Sequence, residues 1–206
     1  MNHLAHLLLS GPDPDLRAGG FLGDFVRGRL RGEHAPGIEL GIRLHRFIDA
    51  TTDRHPLTRA AAALFPPDHR RWAPVALDVW FDHLLARDFQ ALTGRGLDGF
   101  ARQAYDDLEA RDAHLNPAAR GFLARMRETH LLQRYTERTT ITRVLEALGR
   151  RSHRAAALPA LDQDLDRLAP ELDAAFAALL PAITQATHAW LQDAGQVNAA
   201  PNPTSG

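Results

Sequence analysis

Acidic and imidazole side chains interrupt two otherwise apolar stretches of this chain. In the first, Ile42, His45 and Asp49 follow the spacing of one helix face, so the imidazole and the carboxylate continue an apolar stripe. In the second, Asp78 and Asp82 share one helix face among large apolar residues. Burying an ionised carboxylate without a partner costs on the order of several kcal/mol. The fold must therefore supply a cation or an opposite charge between these two helices.

The rest of the sequence also predicts helices. The alternating apolar and polar runs that indicate strands are missing. Proline and glycine signals bound predicted helices at 2–10, 16–30, 37–50, 56–65, 69–91, 97–112, 116–130, 131–148 and 160–193, the last interrupted by Pro170 and Pro181. We expect an all-α, single-domain helical bundle over residues 1–194, with a polar metal site between helices. The Asn, Pro, Thr, Ser and Gly of residues 195–206 predict a flexible C-terminal tail.

The composition excludes several kinds of active site. The chain has no cysteine, which removes disulfides, thiolate zinc sites and cysteine nucleophiles. All 24 basic residues are arginine, so a Schiff-base lysine and a P-loop lysine are excluded. The only serines are Ser10, Ser152 and Ser205, and none lies in a Gly-x-Ser-x-Gly motif. Serine hydrolase chemistry is therefore not expected.

Charge and hydropathy indicate a cytoplasmic protein without a membrane or nucleic-acid partner. The N-terminal region lacks a basic leader, and no window of about 20 apolar residues could span a membrane. The formal net charge of -1 gives no global reason to bind nucleic acid. Three local arginine clusters, at 27–31, 70–71 and 150–154, are typical of solvated faces or of surfaces that recognise phosphate or an acidic protein. The sequence does not indicate an oligomeric state.

Two further polar residues, His6 and Asp24, interrupt apolar segments near the N-terminus. Imidazoles and hard carboxylates without a thiolate suit manganese, iron or magnesium, with zinc as an alternative. Such ligands on facing helices of a bundle have the geometry of a one- or two-metal hydrolase.

Simpler interpretations remain open for several of these residues. His6 taken alone fits a core histidine, and Asp24 fits an ion pair with Arg27 or Arg43. Asp53 precedes a proline and fits a helix cap. A polar core without metal would give each carboxylate an arginine partner. Asp78 and Asp82 resist this explanation, because like charges four residues apart on a helix repel each other.

Four motifs together resemble the acyl carrier protein phosphodiesterase family, also called the acyl carrier protein hydrolase family. They cover the first 90 residues well, and the second half matches more loosely. The motifs are Met1-Asn2-x-Leu4-Ala5-His6-Leu7, Gly20-x-x-x-Asp24-Phe25-Val26-Arg27-Gly28, Gly41-Ile42-x-x-His45-Arg46-x-x-Asp49-x-x-Thr52-Asp53-x-x-Pro56 and Leu77-Asp78-x-x-x-Asp82-His83-x-x-x-Arg87.

The resemblance implies a metal-dependent phosphodiesterase that removes 4'-phosphopantetheine from holo acyl carrier protein, an acidic helical protein of fatty acid biosynthesis. Mn(II) is the expected metal, with Mg(II) or Fe(II) as alternatives. The family is related to the His-Asp phosphohydrolases, whose adjacent His-Asp pair is replaced here by Asp82-His83 in the reverse order.

The resemblance also implies roles for individual residues. The expected metal ligands are His6, Asp24, His45, Asp49, Asp78 and Asp82, with Asp53 as a weaker candidate. The expected catalytic residues are Asp24, His45, Asp82 and His83. The expected phosphate-binding residues are Arg27, Arg43 and Arg46. Two other functions remain open: a metal phosphohydrolase acting on a nucleotide or another small phosphoester, and a non-catalytic helical bundle that binds metal.

Overall fold

The computed structural model describes residues 2–150 and 155–199, with side chains described as far as residue 194. These ranges are helical and contain no strand, which confirms the predicted all-α class. None of their helices combines the length and hydrophobicity that a membrane span requires. The helices are α1 (His3–Leu9), α2 (Pro14–Leu22), α3 (Pro36–Arg54), α4 (Pro56–Ala63), α5 (Pro67–Arg70), α6 (Ala73–Arg87), α7 (Phe89–Thr93), α8 (Leu97–Glu109), α9 (Pro117–Glu128), α10 (Leu131–Arg134), α11 (Arg138–Gly149), α12 (Leu161–Arg167) and α13 (Ala169–Ala199).

Helix α6 lies at the centre of the bundle. Helices α1, α4, α11, α12 and α13 all pack against it. Its sequence is apolar around most of its circumference, which is the pattern of a helix surrounded by protein on several sides. Asp82 and His83 are therefore buried together with the apolar residues of this helix.

Helices α2 and α3 cross with their backbones in direct contact. A Cβ atom added to Gly19 would lie 2.1 Å from the carbonyl oxygen of Ile38, and one added to Gly41 would lie 2.4 Å from that of Leu16. Real Cβ atoms do not approach other atoms this closely, so both positions require glycine. The crossing places the C-terminal half of α2 against the face of α3 that carries His45.

The predicted helix over 16–30 is wrong beyond Leu22. Residues 23–35 form a non-helical segment, which we call the α2–α3 loop. Gly28 and Gly32 have φ angles of 81° and 75°, in the left-handed region that glycine adopts without strain. At Gly23, the His45 ring occupies the space of a side chain, because an added Cβ would lie 2.1 Å from Cγ of His45.

Three other long predicted helices are divided. The segment 69–91 is interrupted between α5, α6 and α7, the segment 131–148 divides into α10 and α11, and the segment 160–193 divides into α12 and α13. Pro170 lies in the first turn of α13, where its missing N–H is not needed, and Pro181 lies within that helix. Helical backbone continues to Ala199, past the predicted end at 193. The remainder of the predicted tail, 200–206, lies outside the described residues.

Candidate metal centre

Two histidines and one aspartate from α1 and α3 converge on one point. Nε2 of His6 lies 2.9 Å from Oδ1 of Asp49, and Nε2 of His45 lies 3.1 Å from Oδ2 of the same carboxylate. The two imidazole rings stack with their centroids 3.9 Å apart. One donor atom from each residue lies within 4.8 Å of the others, and no other such group of three exists in the described chain. We call this group the His6–His45–Asp49 centre.

The backbone of α2 orients His45. Its Nδ1 lies 2.8 Å from the carbonyl oxygen of Gly20, an acceptor, so Nδ1 carries a proton and donates it. This leaves Nε2 facing Asp49. Histidines that bind metal through one nitrogen commonly donate the other N–H to a carbonyl or carboxylate, and His45 already has that arrangement.

The protonation states of His6 and Asp49 suit a bound cation. Burial and the neighbouring His45 lower the pKa of His6 to about 4, so His6 is neutral at pH 7. Burial opposes ionisation of Asp49, but its hydrogen bonds with His45 and His6 outweigh burial and lower the pKa of Asp49. Burial also opposes charging of His45, yet the Asp49 hydrogen bond raises the pKa of His45. A bound cation would compete with a proton on His45, because an imidazole nitrogen must be deprotonated to bind metal.

Asp24, on the α2–α3 loop, borders the centre. Its Oδ1 lies 3.8 Å from Nε2 of His45, and its Oδ2 lies 3.3 Å from Nδ1 of His3. Burial works against ionisation of Asp24, but the interaction with His3 lowers the pKa of this carboxyl. The ion pairs considered for Asp24, with Arg27 or Arg43, are not formed in the described structure.

His3 is a residue at this site that the sequence analysis missed. Its ring lies between Asp24 and the ring of Phe122 on α9, with the His3 and Phe122 centroids 4.8 Å apart. The signal was its position three residues before His6, which places both imidazoles on one face of α1.

Asp82 lies against the backbone of α1. Its Oδ2 accepts the N–H of Leu4 at 2.7 Å, and its Oδ1 accepts the N–H of Ala5 at 3.2 Å. The N-cap residue Asn2 provides no side-chain cap to α1, so Asp82 satisfies amides that would otherwise lack a partner. Burial dominates the effect of these bonds and raises the pKa of Asp82 to about 6. Its carboxylate is therefore occupied with the helix that carries His6, outside the His6–His45–Asp49 centre.

The other predicted acidic and imidazole residues also lie outside this centre. Asp53 is exposed near the C-terminal end of α3, where partial burial and the charge of Asp78 raise the pKa of Asp53. Asp78 is half-buried on α6. His83 donates from Nδ1 to the carbonyl oxygen of Tyr135 at 2.7 Å. The ligand roles of Asp53 and Asp78 and the catalytic role of His83 remain predictions.

The three predicted phosphate-binding arginines lie in different settings. Arg46, on α3, donates to the carbonyl oxygen of Val26 at 2.9 Å and so holds the α2–α3 loop. Arg43 pairs with Glu39, one turn earlier on α3. Arg27 is exposed on the loop, three residues beyond Asp24. Arg27 thus lies on the loop that carries Asp24, and Arg46 binds to that loop.

The fold and the site define an all-helical protein with a histidine and carboxylate group that could hold a divalent metal. The family model for acyl carrier protein phosphodiesterase matches residues 1–183. The chain therefore belongs to the acyl carrier protein phosphodiesterase family.

Two relatives with that name illustrate the similarity. The chain is 37% identical over 186 residues to the acyl carrier protein phosphodiesterase of Serratia proteamaculans, covering 90% of this chain and 96% of the relative. It is 36% identical over 185 residues to that of Yersinia enterocolitica, covering 89% and 95%. No solved structure matches the chain.

Proposed function

We propose that this protein is a divalent-metal-dependent phosphodiesterase. Its substrate is the 4'-phosphopantetheine–serine phosphodiester of holo acyl carrier protein, and its product is the apo carrier protein. Membership of the family supports the reaction and the substrate. The single observation that carries the metal dependence is the convergence of His6, His45 and Asp49 on one point.

The donor set fits a divalent first-row cation. Neutral imidazole nitrogens and an ionised carboxylate are the forms that bind metal, and His6 and Asp49 have those forms at neutral pH. We propose Mn(II), because two nitrogen donors with a hard oxygen donor and no thiolate suit it, with Mg(II) or Fe(II) as alternatives. A divalent cation in this position would acidify a water and withdraw charge from a phosphoryl oxygen.

The chain's own residues supply the remaining functions. Asp24 is ionised and its side chain is 44% exposed, so Oδ1 can accept a hydrogen bond from the attacking water and orient it. Arg27 is exposed and forms no ion pair with the described residues, and the planar fork of its guanidinium matches two phosphate oxygens. Arg46 keeps the loop with Asp24 and Arg27 close to α3.

The openness of the site favours a protein substrate over a nucleotide or another small phosphoester. The side chain of Asp49 is 43% exposed, similar to that of Asp24. Two cavities, of about 470 Å³ and 400 Å³, are lined by other parts of the bundle and include none of His6, His45 and Asp49. Small substrates are usually bound in enclosed pockets, whereas an exposed site admits a diester attached to a protein surface.

Intact-mass measurement tests the proposed function. Purified protein is incubated with holo carrier protein and Mn(II), and a parallel sample receives EDTA. We expect the phosphopantetheine arm to be lost only with Mn(II), and Asp49→Asn to abolish the loss. Asp53→Asn, one turn further along α3, is the matched control and should retain activity. Hydrolysis of a nucleotide diester with no change in the carrier protein would favour the small-substrate alternative.

A further inference from the structure

The α2–α3 loop exposes three arginines, Arg27, Arg29 and Arg31. None of them forms an ion pair within the described chain. By contrast, ten arginines of the described ranges form ion pairs with Asp or Glu: Arg17, Arg43, Arg87, Arg111, Arg120, Arg127, Arg134, Arg138, Arg150 and Arg167. The loop therefore carries three guanidinium groups without an ion-pair partner in the described residues, against two acidic residues of its own, Asp24 and Glu33, whereas the whole chain has a formal net charge of -1.

The loop is fastened to the bundle just before Arg27 and again between Arg29 and Arg31. Val26 and Leu30 pack against the hydrophobic core, so apolar side chains point inward where the arginines point outward. The carbonyl oxygen of Val26 accepts from Arg46 at 2.9 Å, and that of Phe25 accepts from Asn116 at 3.3 Å. A partner would thus meet guanidinium groups on an anchored backbone, which lowers the entropy cost of binding.

A fourth arginine extends the positive surface onto α9. The guanidinium of Arg125 lies 5.8 Å from the centroid of the Phe122 ring, and that ring lies 5.8 Å from the ring of Phe25 at the start of the loop. Arg125 is exposed and forms no ion pair in the described ranges. Phe122 also contacts His3, so this positive surface reaches the border of the metal centre.

We propose that Arg29, Arg31 and Arg125 form a docking surface for an acidic helical face of the protein that carries the phosphodiester. We call these three residues the basic rim. The inference rests on the proposed function, because it assigns the carrier protein as the partner. Arginine pairs carboxylates through two parallel hydrogen bonds, and complementary charge speeds encounter and sets orientation. Binding here presents the substrate beside Asp24, whose Oδ1 lies 3.8 Å from Nε2 of His45.

A matched pair of charge reversals tests the basic rim. Arg29→Glu/Arg31→Glu is compared with Arg59→Glu/Arg143→Glu, which makes the same charge change at exposed arginines on α4 and α11 that form no ion pair in the described structure. Affinity for fluorescently labelled holo carrier protein is measured by anisotropy in EDTA, so turnover plays no part. Hydrolysis of bis(4-nitrophenyl) phosphate with Mn(II) is measured separately.

We expect the rim variant to bind the carrier protein about 10-fold more weakly or worse at low salt, with the difference shrinking at high salt. Its hydrolysis of the small diester should equal that of the wild type. Equal losses in the two double variants, or no binding by the wild-type protein, would overturn the docking surface. Wild-type binding that depends on the rim, without loss of phosphopantetheine in Mn(II), would support docking and disprove the proposed function.

Discussion

Oδ2 of Asp82 accepts the backbone N–H of Leu4 at 2.7 Å, across 78 positions of the chain. The bond joins the central helix α6 to the first turn of α1, and Oδ1 adds a second bond, to Ala5. His6 follows directly on the same helix. The position of one imidazole of the candidate metal centre is therefore tied to a carboxylate that lies outside the His6–His45–Asp49 centre.

Asp82→Asn should destabilise the metal-free protein by about 1–3 kcal/mol, because an amide NH2 would face one of the two buried N–H groups that the carboxylate accepts. The measurement is urea unfolding at pH 7 in EDTA. Asp106→Asn removes an exposed carboxylate paired with Arg127 and should cost less than about 1 kcal/mol. Equal losses in the two variants would contradict the capping role of Asp82.

Gly23→Ala should impair metal binding more than stability. The added Cβ would lie 2.1 Å from Cγ of His45, and the ring must move away from Asp49 to make room. We expect at least a 10-fold weaker affinity for Mn(II) by calorimetry, similar to the effect of other displaced groups around a metal ligand.

Gly99→Ala is the control for this glycine. Gly99 lies in α8, and apart from its chain neighbours and the backbone of its own helix no described atom lies within 4 Å of an added Cβ. The substitution should leave Mn(II) affinity unchanged and stabilise the protein by about 0.5–1 kcal/mol, because alanine loses less backbone entropy in a helix. Unchanged Mn(II) affinity in Gly23→Ala would show that contact with the His45 ring does not position a ligand.

Mn(II) should stabilise the folded protein, and EDTA should reverse the effect. A ligand at 100 times its dissociation constant adds about 2.7 kcal/mol if it binds only the native state. Asp49→Asn should lose this stabilisation, because Asp49 contacts both histidines of the centre. Asp53→Asn should keep it. Loss in both variants would add Asp53 to the ligand set, and loss in neither would remove Asp49 from it. Thermal unfolding with and without metal gives the comparison.

His6 should make the stability of the metal-free protein depend on pH. Burial lowers the pKa of His6 from 6.5 to about 4, so the unfolded chain takes up this proton at higher pH than the native protein. The contribution of the neutral His6 ring to the free energy of unfolding is complete above pH 6.5 and is lost as the pH falls toward 4. It amounts to at most about 3.5 kcal/mol, at about 1.4 kcal/mol per pKa unit.

The measurement for His6 is the difference in unfolding free energy between the wild type and His6→Gln, in EDTA. This difference should fall as the solution is acidified through that window. The difference is needed because Asp82 also titrates in this pH range. Its raised pKa makes the protein less stable as the pH rises, which is opposite to the effect of His6. A difference that does not change with pH would show that His6 is protonated equally in both states.

Helical periodicity was sufficient to predict the all-α class and the position of most helices. The errors occurred where tertiary contacts override local preference. The helix predicted over 16–30 ends at Leu22, and the ring of His45 fills the space beside Gly23. That ring is 22 positions away in the sequence, so no local pattern could indicate it.

Helical periodicity also made part of the site predictable. His45 and Asp49 share a helix face, and that spacing is visible in the sequence. The role of Asp82 was not visible, because its partners are backbone amides of a distant helix and leave no side-chain pattern. His3 escaped notice because its partner, Asp24, lies on a loop that the periodicity predicted as helix.

The contact of Gly19 and Gly41 has a consequence for engineering. No side chain separates the two backbones at this crossing, so enlarging or trimming neighbouring apolar residues offers no way to widen it. The separation of α2 and α3 at this crossing is set by the contact of their backbones at Gly19 and Gly41. A redesign for a larger or smaller ion would have to exchange the donor side chains themselves and leave the scaffold as it is.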